Sequence, residues 1–440
     1  MKRIVYREWR IPPARYWGIL GILAVVAGIG GLAALYMEHE GHWVTGMSNS
    51  VVWGTPHVFA VFLIVAASGA LNVASIGTVF GKGAYKPLGR LSGLLAVALL
   101  IGGLLVLVLD LGRPERLLVA MTHYNFRSIF AWNIYLYVGF MAIVVAYLWS
   151  MVDRSGAPFY KPIGVFAFVW RLALTTGTGS IFGFIVARQA FDTAFLAPMF
   201  VILSFAYGLA IYMLVLMFSF DQEGRALGDK LIGRLKNLLG TFVAAMLYFT
   251  VVYFLTKVYG AKNYDLVGWM LLNGGVYTTV FWIGWVLIGG LIPLGILYHP
   301  DLGKDRNWVA AACGLVILGG LATMYVVIIA GQAYPLQMFP GQTILEAGSI
   351  GLGAEAASYA PSLPELLLGL GGVAVALLIT AVGVRVLQFL PESLADDVLP
   401  LDEESAPALA EACSTARRRR GPAAAASGAG SPEVPKSRPD

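Results

Sequence analysis

Ten stretches of about twenty apolar residues run through this chain, near 16–37, 53–79, 89–110, 128–150, 160–187, 195–219, 237–259, 270–298, 307–330 and 365–390. Each is long enough, as helix, to cross about 30 Å of hydrocarbon. A chain built this way has the bilayer as its solvent. Backbone polar groups in lipid must be satisfied within the segment, so the spans read as helices and the fold as all-α. Composition agrees, with 58% hydrophobic and only 12% charged residues, where a soluble domain carries about 25% charged. Many of the 52 glycines fall inside the spans, as at Gly28, Gly30, Gly31, Gly102 and Gly103. Small residues let helices approach closely where no hydrophobic force drives them together.

Loop charge orients the chain. Placing the N-terminus inside puts 23 Lys and Arg on that side against 6 opposite, and the excess marks the cytoplasmic face. Both termini are expected to be cytoplasmic, in a multi-pass protein of the inner membrane. The formal charge of +5 reflects this asymmetry and does not indicate nucleic acid. The first fifteen residues form a basic tail leading into a retained first helix, with no small-residue cleavage site. Short connections suggest a four-helix bundle over 16–150 and a second over 151–298. Two extra helices occupy 299–390, joined by a long outer loop, 331–364, that carries the Gly-rich stretch 348–353. Beyond residue 391 the composition is that of a disordered cytoplasmic tail. Cys313 and Cys413 offer no disulfide framework and no thiolate set for an iron–sulfur cluster.

Polar groups in lipid are costly, so their placement is informative. In this orientation spans one and three leave, and spans two and four enter, at the outer face. Span one exits through Glu38, His39, Glu40, Gly41 and His42, and span two enters through Trp53, Pro56 and His57. Span three exits through Asp110, Leu111, Gly112, Arg113, Pro114, Glu115 and Arg116. His123, Tyr124 and Asn125 follow, then Trp132 and Asn133 at the entry of span four. Four of the five histidines lie in this one region. Taken singly, each has a structural reading: solvated loop residues, a helix histidine, an Asp110–Arg113 ion pair, an interfacial tryptophan. Taken together they bring an acid, a fixed cation, groups titrating near neutrality and an amide donor beside an apolar bundle.

That set suits a quinone head group, whose reduction takes two electrons and two protons and so needs donors and a proton relay. His and Asn supply donors, and Asp and His supply the relay. A bis-histidine haem needs facing histidines within spans, and only His57 has the depth. Neither haem nor an iron–sulfur cluster nor another metal site is therefore expected in this chain. Arg171, near the middle of span five, lies close to Thr175, Thr176 and Thr178. It reads equally as helix glue or as part of a polar path. No Asp or Glu lies deep in a span, since Asp110 and Glu365 stand at ends.

The stretch from Tyr36 to Asn133 resembles the NrfD-type membrane subunits of polysulfide reductase and its relatives. Asp110-Leu-Gly-Arg-Pro-Glu-Arg is similar to that family's span-three exit, and Phe126-Arg127-Ser128 through Trp132-Asn133 to its span-four entry. The ten-span form, with Glu38 to His42 and Trp53 to His57, resembles the DsrP group of the sulfite-reductase-associated complexes of sulfur-metabolising bacteria. The resemblance implies a menaquinone or ubiquinone site near the outer face, served by a periplasmic, ferredoxin-like iron–sulfur subunit of the DsrO type. Further membrane and cytochrome subunits would complete the complex.

The expectation is thus a quinone-reactive subunit of a respiratory oxidoreductase complex in dissimilatory sulfur metabolism, without a metal centre of its own. His39, His42, His57 and Asp110 are the candidate catalytic or relay groups. Arg113, His123, Asn125, Trp132 and Asn133 are the candidates for holding the quinone head. The competing classes are a secondary transporter of two helical bundles and a haem b-binding subunit. The first usually places its polar groups near the bilayer midplane, where this chain has only Arg171.

Overall fold

The computed structural model describes residues 4–335 and 357–399. Among them, ten helices are long and apolar enough to cross a membrane: Pro13–Glu40, Thr55–Thr78, Gly83–Leu109, Ile129–Val152, Ala157–Gly183, Leu196–Glu223, Asp229–Tyr259, Val276–Tyr298, Arg306–Ala333 and Leu363–Val386. They coincide with the ten apolar stretches and are numbered here as spans one to ten. The protein is an all-α, multi-pass integral membrane protein.

Helix ends are set by local chemistry. Pro56 stands in the first turn of span two, where its missing N–H would have had no helical partner. Ser128 caps span four by accepting from the Ala131 N–H. Glu365 reaches back from the first turn of span ten to accept from the Ser362 N–H at 2.7 Å, the carboxylate half of a capping box. Span three stops at Asp110, and Gly112 turns the chain with φ +64°, a conformation that favours glycine.

Span two is the axis of the molecule. In its central window 94% of residues are buried, against 17% for span one, so its uniform hydrophobicity reflects protein on every side. It packs on spans three, five, six, nine and ten. The crossing with span six is backbone on backbone: a Cβ at Gly69 would lie 1.6 Å from the Ser204 carbonyl oxygen. Span one instead lies chiefly along span ten, with Gly30 against Gly371. The expected first bundle of four consecutive spans is therefore not the packing observed. Span one gives its face to span ten, and span two makes its contacts with the helices around it.

The two described chain ends lie on the same face. Strand Tyr6–Arg7 pairs antiparallel with Leu390–Pro391, and Trp9, Leu390, Leu394 and Leu399 are buried. Residues 391–399, assigned by composition to the tail, are folded here, because Leu394 and Leu399 supply apolar anchors and Leu394 N–H donates to the Ala226 carbonyl. The Gly-rich stretch 348–353 lies outside the described residues, as does the tail from residue 400.

Candidate functional site

On the face opposite the described chain ends, spans two and three bring a histidine onto a carboxylate. Asp110 ends span three with its side chain wholly removed from solvent, and His57 sits in the first turn of span two. His57 Nδ1 lies 2.8 Å from Asp110 Oδ2. His42, in the single turn His42–Val44 after span one, places Nε2 3.9 Å from Asp110 Oδ1. Both contacts are close in distance, yet neither carboxylate oxygen completes an aligned hydrogen bond. Two imidazole rings thus face the buried carboxylate. Gly112 makes the approach possible, since a Cβ there would come within 3.3 Å of the His42 ring.

The pair is walled by aromatic rings. Trp53 stacks on His57 with centroids 6.1 Å apart at 27°, and it also meets Phe130, Phe182 and Phe191 at 5.6 to 6.4 Å. The His57 side chain keeps 18% of its surface exposed and that of His42 27%. Each ring therefore has an accessible edge while the charge between them is buried. With Nδ1 turned to the carboxylate, Nε2 of His57 is the nitrogen left to exchange a proton with a bound molecule.

Two distant segments hold the loop between spans one and two. Gln332, at the end of span nine, accepts through Oε1 from the N–H groups of Val52 (3.0 Å) and Trp53 (3.1 Å) and donates to the Trp53 carbonyl (3.0 Å). Arg188 donates to the Ser50 carbonyl at 2.8 Å and to the Gln332 carbonyl, and its burial pulls the guanidinium below its ordinary pKa. On the other side Glu365, fully buried, accepts from Gly46 N–H at 2.9 Å, Ser362 N–H at 2.7 Å and the Tyr359 hydroxyl at 2.7 Å. Tyr359 in turn accepts from Thr55 N–H at 2.7 Å, and burial pushes its phenol well up, so it stays a donor to Glu365. Glu365 thus holds the loop by its backbone at Gly46, while His42 of the same loop faces Asp110 at 3.9 Å.

Of the nine residues singled out from sequence, the structure brings His42, His57 and Asp110 together. His39 is exposed and pairs with neighbouring Glu40 at 3.2 Å. Arg113 is exposed, and Asp110 faces the histidines in place of the ion pair considered above. His123 is exposed against the Thr122 hydroxyl, and Asn125 is exposed with its carbonyl oxygen accepting from Arg127 N–H. Trp132, 47% exposed, donates to the Phe126 carbonyl at the rim. Asn133 is buried and ties span four to span five through the Gly177 carbonyl at 3.0 Å. Among the described residues, no group of three or more His, Cys, Asp or Glu is arranged to hold a metal ion.

Sequence reasoning missed Phe182, Arg188, Gln332 and Tyr359, which no local motif marks. Arg171 is fully buried. It donates to Asn72 Oδ1 at 2.8 Å and lies 4.9 Å from the rings of both Phe168 and Phe205. These contacts join span five to spans two and six, and cation–π attraction offsets part of the desolvation.

The family model for polysulphide reductase, NrfD, matches residues 43–335. The chain belongs to the polysulphide reductase NrfD family. It is 29% identical over 389 residues to the Hdr-like menaquinol oxidoreductase integral membrane subunit of Archaeoglobus fulgidus, covering 88% of this chain and 96% of that one. Similarity extends to the menaquinone reductase integral membrane subunit of Nitratidesulfovibrio vulgaris, at 23% identity over 73% of this chain and 82% of the relative. The NrfD protein of Escherichia coli is 21% identical over 64% of this chain and 96% of its own length. The NrfD match contains spans two to nine and leaves out spans one and ten, the two that pack on each other. Asp110, His57, Trp53 and Gln332 lie within the NrfD segment. Glu365 and His42 lie outside it.

Proposed function

We propose that this chain is the quinone-reactive membrane subunit of a respiratory redox complex, and that His57, Asp110 and His42 form the proton-exchanging part of its quinone site. The observation that carries the reading is the His57–Asp110 contact at 2.8 Å, with the carboxylate buried and the ring edge exposed beside Trp53. The menaquinol and menaquinone subunits among its relatives support the choice of ligand. A bound quinone would supply two-electron, two-proton redox chemistry. The residues present fit such a group: His57 offers a ring N–H or lone pair to a carbonyl or hydroxyl oxygen, and Trp53 and Phe130 offer flat apolar walls. Asp110 faces Nδ1 of the imidazole, which leaves Nε2 to exchange a proton with a bound molecule.

The electrons pass to or from an extracytoplasmic iron–sulfur subunit in this proposal, and the complex serves dissimilatory sulfur metabolism in the inner membrane. The Lys and Arg excess on the face of the chain ends supports placing the His57 site outward. His39, Arg113, His123, Asn125 and Trp132, exposed around that outer rim, are then available to the partner or to the entering head group, while Asn133 acts by fixing span four.

The test is quinol-linked electron transfer in the assembled complex carrying His57→Gln or Asp110→Asn. Activity falls about a hundredfold in each, with subunit association retained on pull-down. Unchanged activity in both variants overturns the site. A stoichiometric haem absorption band in the purified chain overturns the ligand reading in favour of a b-type cytochrome.

A further inference from the structure

Spans one and ten pack on each other outside the NrfD segment, and where this pair meets spans two, three, six and nine the seam is not closed. An apolar cavity of about 590 Å³ lies there, walled by Ile19 and Leu23 of span one, Leu63 of span two, Val215 and Phe218 of span six and Val373 of span ten, among others. Phe218 and Leu370 in its wall are 48% and 46% exposed. The slot is therefore open along one side and not sealed within the protein. At hydrocarbon depth, and with an almost wholly apolar lining, the matching chemistry is a long alkyl chain.

The end of the cavity near the described chain termini adds a polar signature. Trp9, Ser219 and Val384 line it there, and the Trp9 indole donates to the Ser219 carbonyl. Arg385, next to Val384, donates to the Trp9 carbonyl at 2.7 Å, with its guanidinium over the Tyr16 ring. Arg15 is exposed one helical turn away and reaches Gln222. Three of the acidic groups on this side are paired with other arginines: Glu223 with Arg225 at 2.8 Å, Glu8 with Arg10 at 3.6 Å and Glu392 with Arg7 at 2.9 Å, while Asp221 is exposed beside Gln222. Two arginines therefore flank the lining at this end of the apolar slot, Arg385 beside Val384 and Trp9 and Arg15 one turn before Ile19.

We infer that this seam is a binding site for an anionic phospholipid of the leaflet on the side of the chain ends, with an acyl chain in the cavity and the phosphate at Arg15 and Arg385. The lipid fills the joint between the NrfD core and the added helix pair. It occupies the face of span two away from His57, so its loss is distinguishable from loss of the quinone site.

Native mass spectrometry of the full chain, released from nanodiscs of phosphatidylglycerol or of phosphatidylcholine, tests the inference. The expected result is one retained phosphatidylglycerol per chain and little phosphatidylcholine. Arg15→Gln and Arg385→Gln each lower retention roughly fivefold, the effect of about 1 kcal/mol per surface arginine. Val373→Trp, which fills the slot, abolishes retention, and if that variant does not fold the exposed Arg15→Gln still decides. Equal retention of the two lipids, a quinone in place of the phospholipid, or no retained lipid overturns the inference.

Discussion

Asp110 and His57, 53 positions apart in the chain, meet with Oδ2 and Nδ1 2.8 Å apart, the carboxylate fully buried and the imidazole partly open. Removing either leaves the other without its partner. The double variant His57→Gln, Asp110→Asn is therefore expected to be no slower than the worse single variant, because residues that act as one unit are not additive. Quinol-linked electron transfer measured for all four proteins checks this. Multiplying losses would mean that the two act separately.

Gly112 is the turn that lets His42 reach the carboxylate. Gly112→Ala places a side chain at φ +64° and 3.3 Å from the His42 ring, costing about 1–2 kcal/mol of backbone strain. Thermal unfolding in detergent should register the loss, and electron transfer should fall as well. Gly28→Ala, where a Cβ meets nothing within 4 Å, should change neither.

Gln332 satisfies the N–H groups of Val52 and Trp53 and the Trp53 carbonyl. Gln332→Leu leaves all three without this partner, at about 1–3 kcal/mol for each that stays buried. A lower unfolding temperature together with a raised apparent KM for quinol is the expected pair of results, since Trp53 would lose its fixed place over His57. A variant as stable as the parent would show the clasp to be dispensable.

The crossing of spans two and six admits no side chain at Gly208, whose Cβ would lie 2.1 Å from Ala70 N. Gly208→Leu should prevent folding, read as loss of monodisperse protein from the membrane fraction. Gly18→Leu, on the open side of span one with nothing within 4 Å of a Cβ, should accumulate normally.

The ten spans were legible because the cost of placing a polar backbone or a charge in hydrocarbon is written into every twenty-residue window. The cluster of ionisable groups at the ends of spans one to four was legible for the same reason. His57 and Asp110 stand out because ionisable groups at span ends are few, and Trp53 was visible in the motif Trp53-Gly54-Thr55-Pro56-His57. His123 and Asn125 were drawn in by proximity in sequence, although a loop can turn its side chains to water as readily as to a site. Asn133 was read as a quinone donor, and its amide nitrogen donates to the carbonyls of Ile129 and of Gly177 in the next span.

By itself, then, the sequence determined a ten-helix membrane protein with four of its five histidines and Asp110 gathered at one end of its first four spans, because hydrophobicity is a property each segment carries alone. Which helices become neighbours is not such a property, since lipid-facing and helix-facing leucines are equally apolar. The tertiary structure alone decided that span one leaves its sequence neighbours for span ten, and that Gln332 and Glu365 hold the loop beside His57. It alone brought His42, His57 and Asp110 together, because only packing sets which side chains share a few ångströms.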